Sequence, residues 1–379
     1  MSNRRPLGPL AAALVLGGCA PHAESMLDPS AAPPPLARVA IAPTDEALTF
    51  ARAGGRVLAV TRYEDGRVEG VDLAVEDPIA LFLAQGYDAL RERIDATPAG
   101  ERVSVAAREL GTPLDLRDHH VATGLNFPAH AGESGAGAEP FLFPKLTVPT
   151  GPRAPIAVAG RLLDYEVEAA WVPLAPLAEG DRPAAMGVIL CNDYTDRDTL
   201  LRTVDPWNPG SGKGFTTGKS FPGSLPVGDL FVIPRDARAF AAGLELRLWV
   251  NDRLRQRAPL DAITWKLDDL VAQTWARREL RWDDRGSEVG LPVVDGRIPD
   301  RTLVMSGTPD GTIFRAIGTG QKMRGLGAWL LGGFGRPLPA YVIDAYIRDA
   351  RDAGIYLQPG DRVAIHVERL GVIENEVIP

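Results

Sequence analysis

The sequence predicts an α+β protein built around a large mixed sheet, and two patterns predict it. Most of the chain reads as short strands in which apolar residues recur at every second place, as in Leu244, Leu246, Leu248 and Val250 and again in Val363, Ile365 and Val367. Few stretches carry apolar residues at helical spacing. The clearest is Leu267 to Leu280, with Leu267, Leu270, Val271, Trp275 and Leu280. With 379 residues, 45% hydrophobic and 24% charged, the chain has the mass for one large and one small globular domain. A net charge of -8 with no basic stripe argues against nucleic acid as a partner.

Taken in order, residues 1–18 read as a signal. Arg4 and Arg5 give a positive start, Pro6 to Leu16 a short apolar run, and Leu16-Gly17-Gly18-Cys19 looks like the lipobox of a bacterial lipoprotein. The run is too short to span a bilayer, which takes about 20 residues. Cleavage before Cys19 would leave that thiol to carry lipid, each buried CH₂ adding about 0.8 kcal/mol of membrane affinity. Ala20 after the Cys resembles lipoproteins of the outer membrane, so a lipid-anchored envelope protein, on the periplasmic side, is expected. Residues 19–37, rich in Pro, Ala and Ser, read as its tether.

Residues 38–117 are expected to form a small amino-terminal domain. Arg56 to Thr61 and Val68 to Val71 flank Asp65-Gly66, a hairpin signal, and Asp77 to Ile94 reads as one helix. Residues 118–379 then make the larger domain. Within it Leu163-Asp164-Tyr165-Glu166-Val167-Glu168-Ala169-Ala170-Trp171 alternates apolar and acidic residues, which puts Asp164, Glu166 and Glu168 on one face of a strand. Crowded carboxylates repel unless solvent or a cation relieves them, so this is either a wet strand or a hard-metal site. Gly187 to Asp193 reads as an apolar strand ending on an acid, and Asp193 either caps the next turn or completes a three-carboxylate set suited to Mg, Mn or Ca. Spacing leaves both pairs of readings open. Cys191 in that strand reads as a small buried residue, so with Cys19 lipidated no disulfide is expected. His119 and His120, in a charged stretch, are expected to be solvated.

Seven motifs in order resemble the fumarylacetoacetate hydrolase family. They are Gly124-Leu125-Asn126-Phe127-Pro128-Ala129-His130-Ala131-Gly132-Glu133, then Phe143-Pro144-Lys145, then Asp164 to Glu168, and then Asn192-Asp193-Tyr194-Thr195-Asp196-Arg197-Asp198. Gly218-Lys219-Ser220-Phe221, Ser306-Gly307-Thr308-Pro309-Asp310-Gly311 and Leu357-Gln358-Pro359-Gly360-Asp361 complete the series. The resemblance covers roughly the last two thirds of the chain. It implies a rolled β-sandwich catalytic domain behind a small amino-terminal α+β domain, and a homodimer.

The resemblance also implies a division of labour. Glu166, Glu168 and Asp193 match the family's metal carboxylates, for Mg²⁺ or Mn²⁺, with Ca²⁺ also compatible. A cation held by them would be chelated by a 2-oxo acid or 1,3-dicarbonyl acid and would stabilise the enolate formed on bond cleavage. His130 and Glu133 match an acid–base pair that activates water, and Lys219 a point charge for a carboxylate or oxyanion. Asn126, Arg197, Thr308 and Lys145 are carried over as substrate-binding, although Lys145 and Arg197 read equally as a structural ion pair. The expected activity is hydrolysis of a carbon–carbon bond in an acylpyruvate-like acid. Hydration, decarboxylation or isomerisation of a 2-oxo acid is the enzymatic alternative, and a non-catalytic lipoprotein that binds an oxo acid is the other.

Three departures stand out. Leu200 replaces the usual Gln, and Asp196 replaces Ala. Residues 312–356 form an insertion where a short connection is usual, with Gly, Leu and Trp over Met323 to Phe334 and helical spacing from Pro339 to Ala350. A segment this long is a helix packed on the domain or on another subunit, or a lid.

Overall fold

The computed structural model describes residues 38–134, 139–332 and 334–379. The signal, Cys19 and the tether lie outside the described residues. The protein is mixed α+β with large sheets, as the strand-rich sequence predicts. A ten-stranded sheet runs in the order Val103–Ala106, Arg67–Asp72, Arg56–Glu64, Ala47–Ala53, Val227–Pro234, Gly187–Asn192, Val167–Val172, Val304–Met305, His119–Gly124, Phe141–Leu146. A five-stranded sheet, Arg253–Pro259, Glu245–Val250, Arg362–Val367, Gly371–Ile378 and Ile156–Ala157, packs with it around a common apolar core.

The amino-terminal strands belong to the large sheet. Ala47–Ala53 pairs antiparallel with Val227–Pro234, with Phe50 opposite Phe231, so residues on both sides of position 117 share one sheet and one core. The predicted hairpin forms. Asp65 and Gly66 both have positive φ, 52° and 66°, the turn whose twist matches that of the flanking strands.

Three elements differ from the sequence expectation. The helix expected from Leu267 to Leu280 ends at Ala276, and Leu280 beyond it is exposed. The single helix over 77–94 is two, Pro78–Gln85 and Tyr87–Ala96, because Gly86 between them takes φ 79°, outside the helical region. Asp77 caps the first, its carboxylate accepting from the amides of Ile79 and Ala80 at 3.0 and 3.3 Å. The acidic strand is also interrupted, into Leu163–Asp164 and Val167–Val172.

The insertion is a helical hairpin, Thr319–Leu331 followed by Leu338–Ala353. Its second helix buries Ile343, Tyr346, Ile347 and Ala350 against Leu162, Leu201 and Tyr356, in a small core of its own. Burying each of the larger side chains stabilises that packing by about 1.5–3 kcal/mol.

Candidate active site

The break in the acidic strand makes the site. Tyr165 and Glu166 leave the ladder, and the freed amide of Glu166 donates to Asn192 Oδ1 at 2.9 Å. The amide of Asp193 donates to the Glu166 carbonyl at 2.9 Å. In the next register Glu168 lies opposite Cys191. These contacts bring Glu166, Glu168 and Asp193 together, with one carboxylate oxygen of each lying within 4.8 Å of the others, all three buried. Asp164, the third acid of the alternating run, turns elsewhere. It accepts from the amides of Ile313 and Phe314 at 2.8 and 3.1 Å and from Arg197 Nε at 2.8 Å, so it anchors the root of the insertion.

Three cations surround the carboxylates. Lys219 Nζ lies 2.6 Å from Glu166 Oε2 and 2.9 Å from Asp193 Oδ2, Arg197 Nη2 lies 2.7 Å from Glu166 Oε1, and Lys145 Nζ lies 2.6 Å from Asp193 Oδ1. Glu168 is the one without a cationic contact, its Oε2 accepting from the Gly307 amide at 2.8 Å. The electrostatics divide accordingly. Burial and the neighbouring Asp193 and Glu166 charges push Glu168 well above the usual carboxylate range. Burial acts the same way on Asp193, but Lys145 and Lys219 more than offset it and hold Asp193 below that range. For Lys219, burial disfavours the ammonium and Asp193 and Glu166 reverse the balance upward.

The donor set therefore fits a hard divalent cation. It offers three buried carboxylates, and Glu168, which Lys219, Lys145 and Arg197 do not pair, is the one whose ionisation a cation would relieve. All-oxygen ligation suits Mg²⁺, Mn²⁺ or Ca²⁺ and not Zn²⁺.

Lys145 is fully buried, and burial pulls its ammonium downward. Besides Asp193 it meets the carbonyls of Lys219 and Ser224 and Ser224 Oγ, the last two at 3.1 Å, which uses all three of its N–H donors. The expected place at the substrate is thus not where the structure puts it: it holds Asp193. Lys145→Met should lower the free energy of unfolding by about 3–5 kcal/mol, the scale for removing one member of a buried ion pair. A shift in the urea midpoint at unchanged slope checks this.

The turn Ser306 to Gly311 joins the carboxylates to the His130/Glu133 pair. At one end Gly307 donates to Glu168; at the other the Gly311 amide donates to Glu133 Oε2 at 3.1 Å and the Gly311 carbonyl accepts from Tyr165 Oη at 3.0 Å. His130 sits on the short helix Pro128–Ser134, with Nδ1 3.5 Å from Glu133 Oε2 and in no hydrogen bond. Glu133 also meets Arg315 Nη1 at 2.9 Å, a contact supplied by the insertion. Thr308 Oγ1 accepts from Gln256 Nε2 at 2.9 Å.

Asn126 is fully buried and braces loops. Its Oδ1 accepts from the Trp265 amide at 2.7 Å, and its Nδ2 donates to the carbonyls of Trp265 and Ser306 at 3.1 and 2.8 Å. Arg197 is engaged with Asp164 and Glu166 and lies over the Phe314 ring, 5.4 Å from its centre.

Sequence reasoning missed Gln256 and Arg315. Gln256 bridges the strand Val167–Val172 and the turn, accepting from the Val167 amide at 3.0 Å and donating to the Pro309 carbonyl at 2.7 Å. Its signal was the parity it shares with buried Ala258 in an otherwise charged strand. Arg315 had none. The expectation for His120 is corrected: alternation along His119–Gly124 turns it inward, it is fully buried, its Nδ1 accepts from the Leu303 amide at 3.1 Å, and burial pushes it down to about 3. His119 is half-buried against the Gly290 carbonyl. Cys191 is buried as expected, its thiol pushed up by burial and by the Glu168 and Asp193 charges. The two departures have structural reasons: Asp196 caps the helix Arg197–Thr203, and Leu200 packs so closely on Gly218 that a Cβ there would meet it at 2.6 Å.

A cavity of about 630 Å³ lined by His119, Val148, Ser220, Phe221 and Pro222 includes none of Glu166, Glu168 and Asp193. The site is placed by its chemistry and not by that cavity.

Residues 119–378 match the model of the family described as Fumarylacetoacetate (FAA) hydrolase C-terminal. No curated protein matches the sequence. Among solved structures, a probable 2-hydroxyhepta-2,4-diene-1,7-dioate isomerase from Mycobacterium abscessus is similar at 22% identity and a TM-score of 0.53, over 87% of this chain and 98% of that one. The fumarylacetoacetate hydrolase of Exiguobacterium antarcticum is similar at 19% and 0.54, over 88% and 99%. The maleylpyruvate hydrolase of Sphingobium sp. SYK-6, in complex with manganese(II) and pyruvate, is similar at 19% and 0.53, over 87% and 99%. At these identities the likeness is one of fold.

Proposed function

Because the chain belongs to the fumarylacetoacetate hydrolase C-terminal family, we propose that it is a divalent-metal-dependent hydrolase that cleaves a carbon–carbon bond of an acylpyruvate-like acid. The observation that carries the reading is the convergence of Glu166, Glu168 and Asp193 in a buried cluster, linked by one turn to His130 and Glu133. A similar fold holds manganese and pyruvate in the maleylpyruvate hydrolase, which supports a hard cation and a 2-oxo acid here.

When bound, the cation supplies Lewis-acid polarisation of two substrate oxygens. The chain's own residues do the rest. Glu133 faces His130 Nδ1, so a proton on Nδ1 leaves Nε2 free to take one from water. The contact is loose at 3.5 Å and tightens when substrate is bound, as catalytic hydrogen bonds commonly do. The hydroxide adds to the acyl carbon, the carbon–carbon bond breaks with its electron pair going to the pyruvate enolate, and His130 returns its proton to the enolate carbon. One water is consumed, and one carboxylic acid and one pyruvate leave. Lys219 offers positive charge to the substrate carboxylate, and Thr308 its hydroxyl. Lys145 acts through Asp193, and Asn126 through the loops it braces.

Turnover of purified protein against acylpyruvates and other 2-oxo acids, with Mg²⁺ or Mn²⁺, tests this. Equimolar pyruvate and carboxylic acid are expected. Consumption of the acid without pyruvate would assign the site to isomerisation, hydration or decarboxylation instead, and saturable binding without turnover would make the protein a carrier of oxo acids.

We further propose that Cys19 is lipidated and tethers the enzyme, as a homodimer, to the envelope. The motif Leu16-Gly17-Gly18-Cys19 supports it, and among the described residues no helix is long and apolar enough to cross a membrane. Cys19→Ser should move the protein out of the membrane fraction or block its maturation; fractionation and migration like wild type would refute the anchor.

A further inference from the structure

We propose that the hairpin of the insertion docks on an anionic lipid surface through its tip, around Trp329, Leu330, Leu331 and Phe334. The helix Thr319–Leu331 rests on its partner through Gly325, where a Cβ would come within 2.5 Å of Val342 Cγ2. Gly325 is the one buried residue of that helix, so its large side chains have no place in the core. Met323 is 60% exposed, Leu330 55%, Leu331 92% and Phe334 60%. Elsewhere among the described residues, large exposed apolar side chains are scattered; here they cluster, beside a Trp329–Phe334 edge-to-face pair at 4.5 Å.

Charge decides the occupant. From Gly318 to Ile343 the sequence has no Asp or Glu and carries Lys322, Arg324 and Arg336. Over the hairpin, residues 319–353, five Lys and Arg less three Asp give +2, in a chain whose net charge is -8. The acids stand on the second helix, where Asp349 pairs with Arg324 and Asp344 with Arg336. A twofold-related copy would set this basic rim against itself. Anionic headgroups complement it, and Trp, Phe and Leu beside Lys and Arg is the composition of a helix lying in the membrane interface. At 13 residues the helix is too short to span a bilayer. The inference does not rest on the reaction. It is compatible with a lipid on Cys19, since residues 19–37 reach about 60 Å when extended, but does not require one.

The test uses the chain from residue 19 with Cys19→Ser, which keeps every described residue and has neither the signal run nor a lipid. It is sedimented with vesicles of phosphatidylethanolamine and phosphatidylglycerol and, separately, of phosphatidylcholine alone. Binding is expected to the anionic vesicles, weakened by salt. The triple variant Leu330→Ser, Leu331→Asp, Phe334→Ser should bind at least about tenfold more weakly, and Lys322→Glu several-fold more weakly, on a scale of about 1 kcal/mol per basic residue at an anionic surface. Unchanged thermal unfolding is expected of both, because the altered side chains are exposed. Equal binding by parent and variants would overturn the proposal, as would a parent that ignores anionic vesicles. A parent that ignores them but forms a dimer broken by the triple variant would assign the face to a second copy.

Discussion

Glu168→Gln should abolish retention of the divalent cation and lower turnover by about 10³-fold, the several kcal/mol that a Lewis acid contributes to the transition state. The fold should persist, because Gln is nearly isosteric and its amide oxygen can still accept from the Gly307 amide. Stability gives a second, opposite readout. Glu168 is held well above the usual carboxylate range in the metal-free protein by burial and by Asp193 and Glu166. A carboxyl whose folded value is raised destabilises the folded state once pH exceeds its unfolded value, so wild type should gain stability as pH falls from above the folded value toward the unfolded one. The Gln variant lacks that pH dependence. At neutral pH without metal it should unfold no earlier than wild type, while losing the stabilisation that added Mn²⁺ gives wild type. Unchanged metal stoichiometry in the variant would refute the assignment of Glu168 as a ligand.

His130→Ala should depress turnover by about 10²-fold or more, the usual scale for losing a general base, with the cation retained. The geometry separates the two functions: none of the three carboxylates is hydrogen-bonded to His130, whose contact is with Glu133. Wild-type turnover in the variant would place water activation elsewhere. Loss of the metal would make His130 a ligand and collapse the division between binding and acid–base residues.

The sequence carried the chemistry further than the wiring. Alternation announced the strand at Val167–Val172, and motif order brought Glu166, Glu168 and Asp193 into one set that the structure assembles. Periodicity did not reveal that Tyr165 and Glu166 leave the ladder, because that depends on Asn192 Oδ1, a partner 26 residues away, capturing the Glu166 amide. For the same reason alternation placed Asp164 on the face of Glu166 and Glu168, whereas its partners, the amides of Ile313 and Phe314, come from an insertion about 150 residues downstream. Lys145 and Arg197 had two readings from sequence. Burial separates them, since a lysine with no exposed surface and a full set of acceptors has no donor left for a ligand. The hairpin at Asp65-Gly66 was legible because its signal is local. The break at Gly86 was not, because one glycine in a helical pattern is usually tolerated.

The measurement that tests the account most directly is a titration of metal-free protein with Mn²⁺, followed by its electron paramagnetic resonance signal, with and without oxalate as a chelating stand-in for the enolate of pyruvate. The account predicts one Mn²⁺ per chain in wild type, a signal altered by oxalate, and no bound Mn²⁺ in Glu168→Gln. Absence of tight Mn²⁺ binding by wild type, or binding that Glu168→Gln leaves intact and oxalate leaves unaltered, would contradict it.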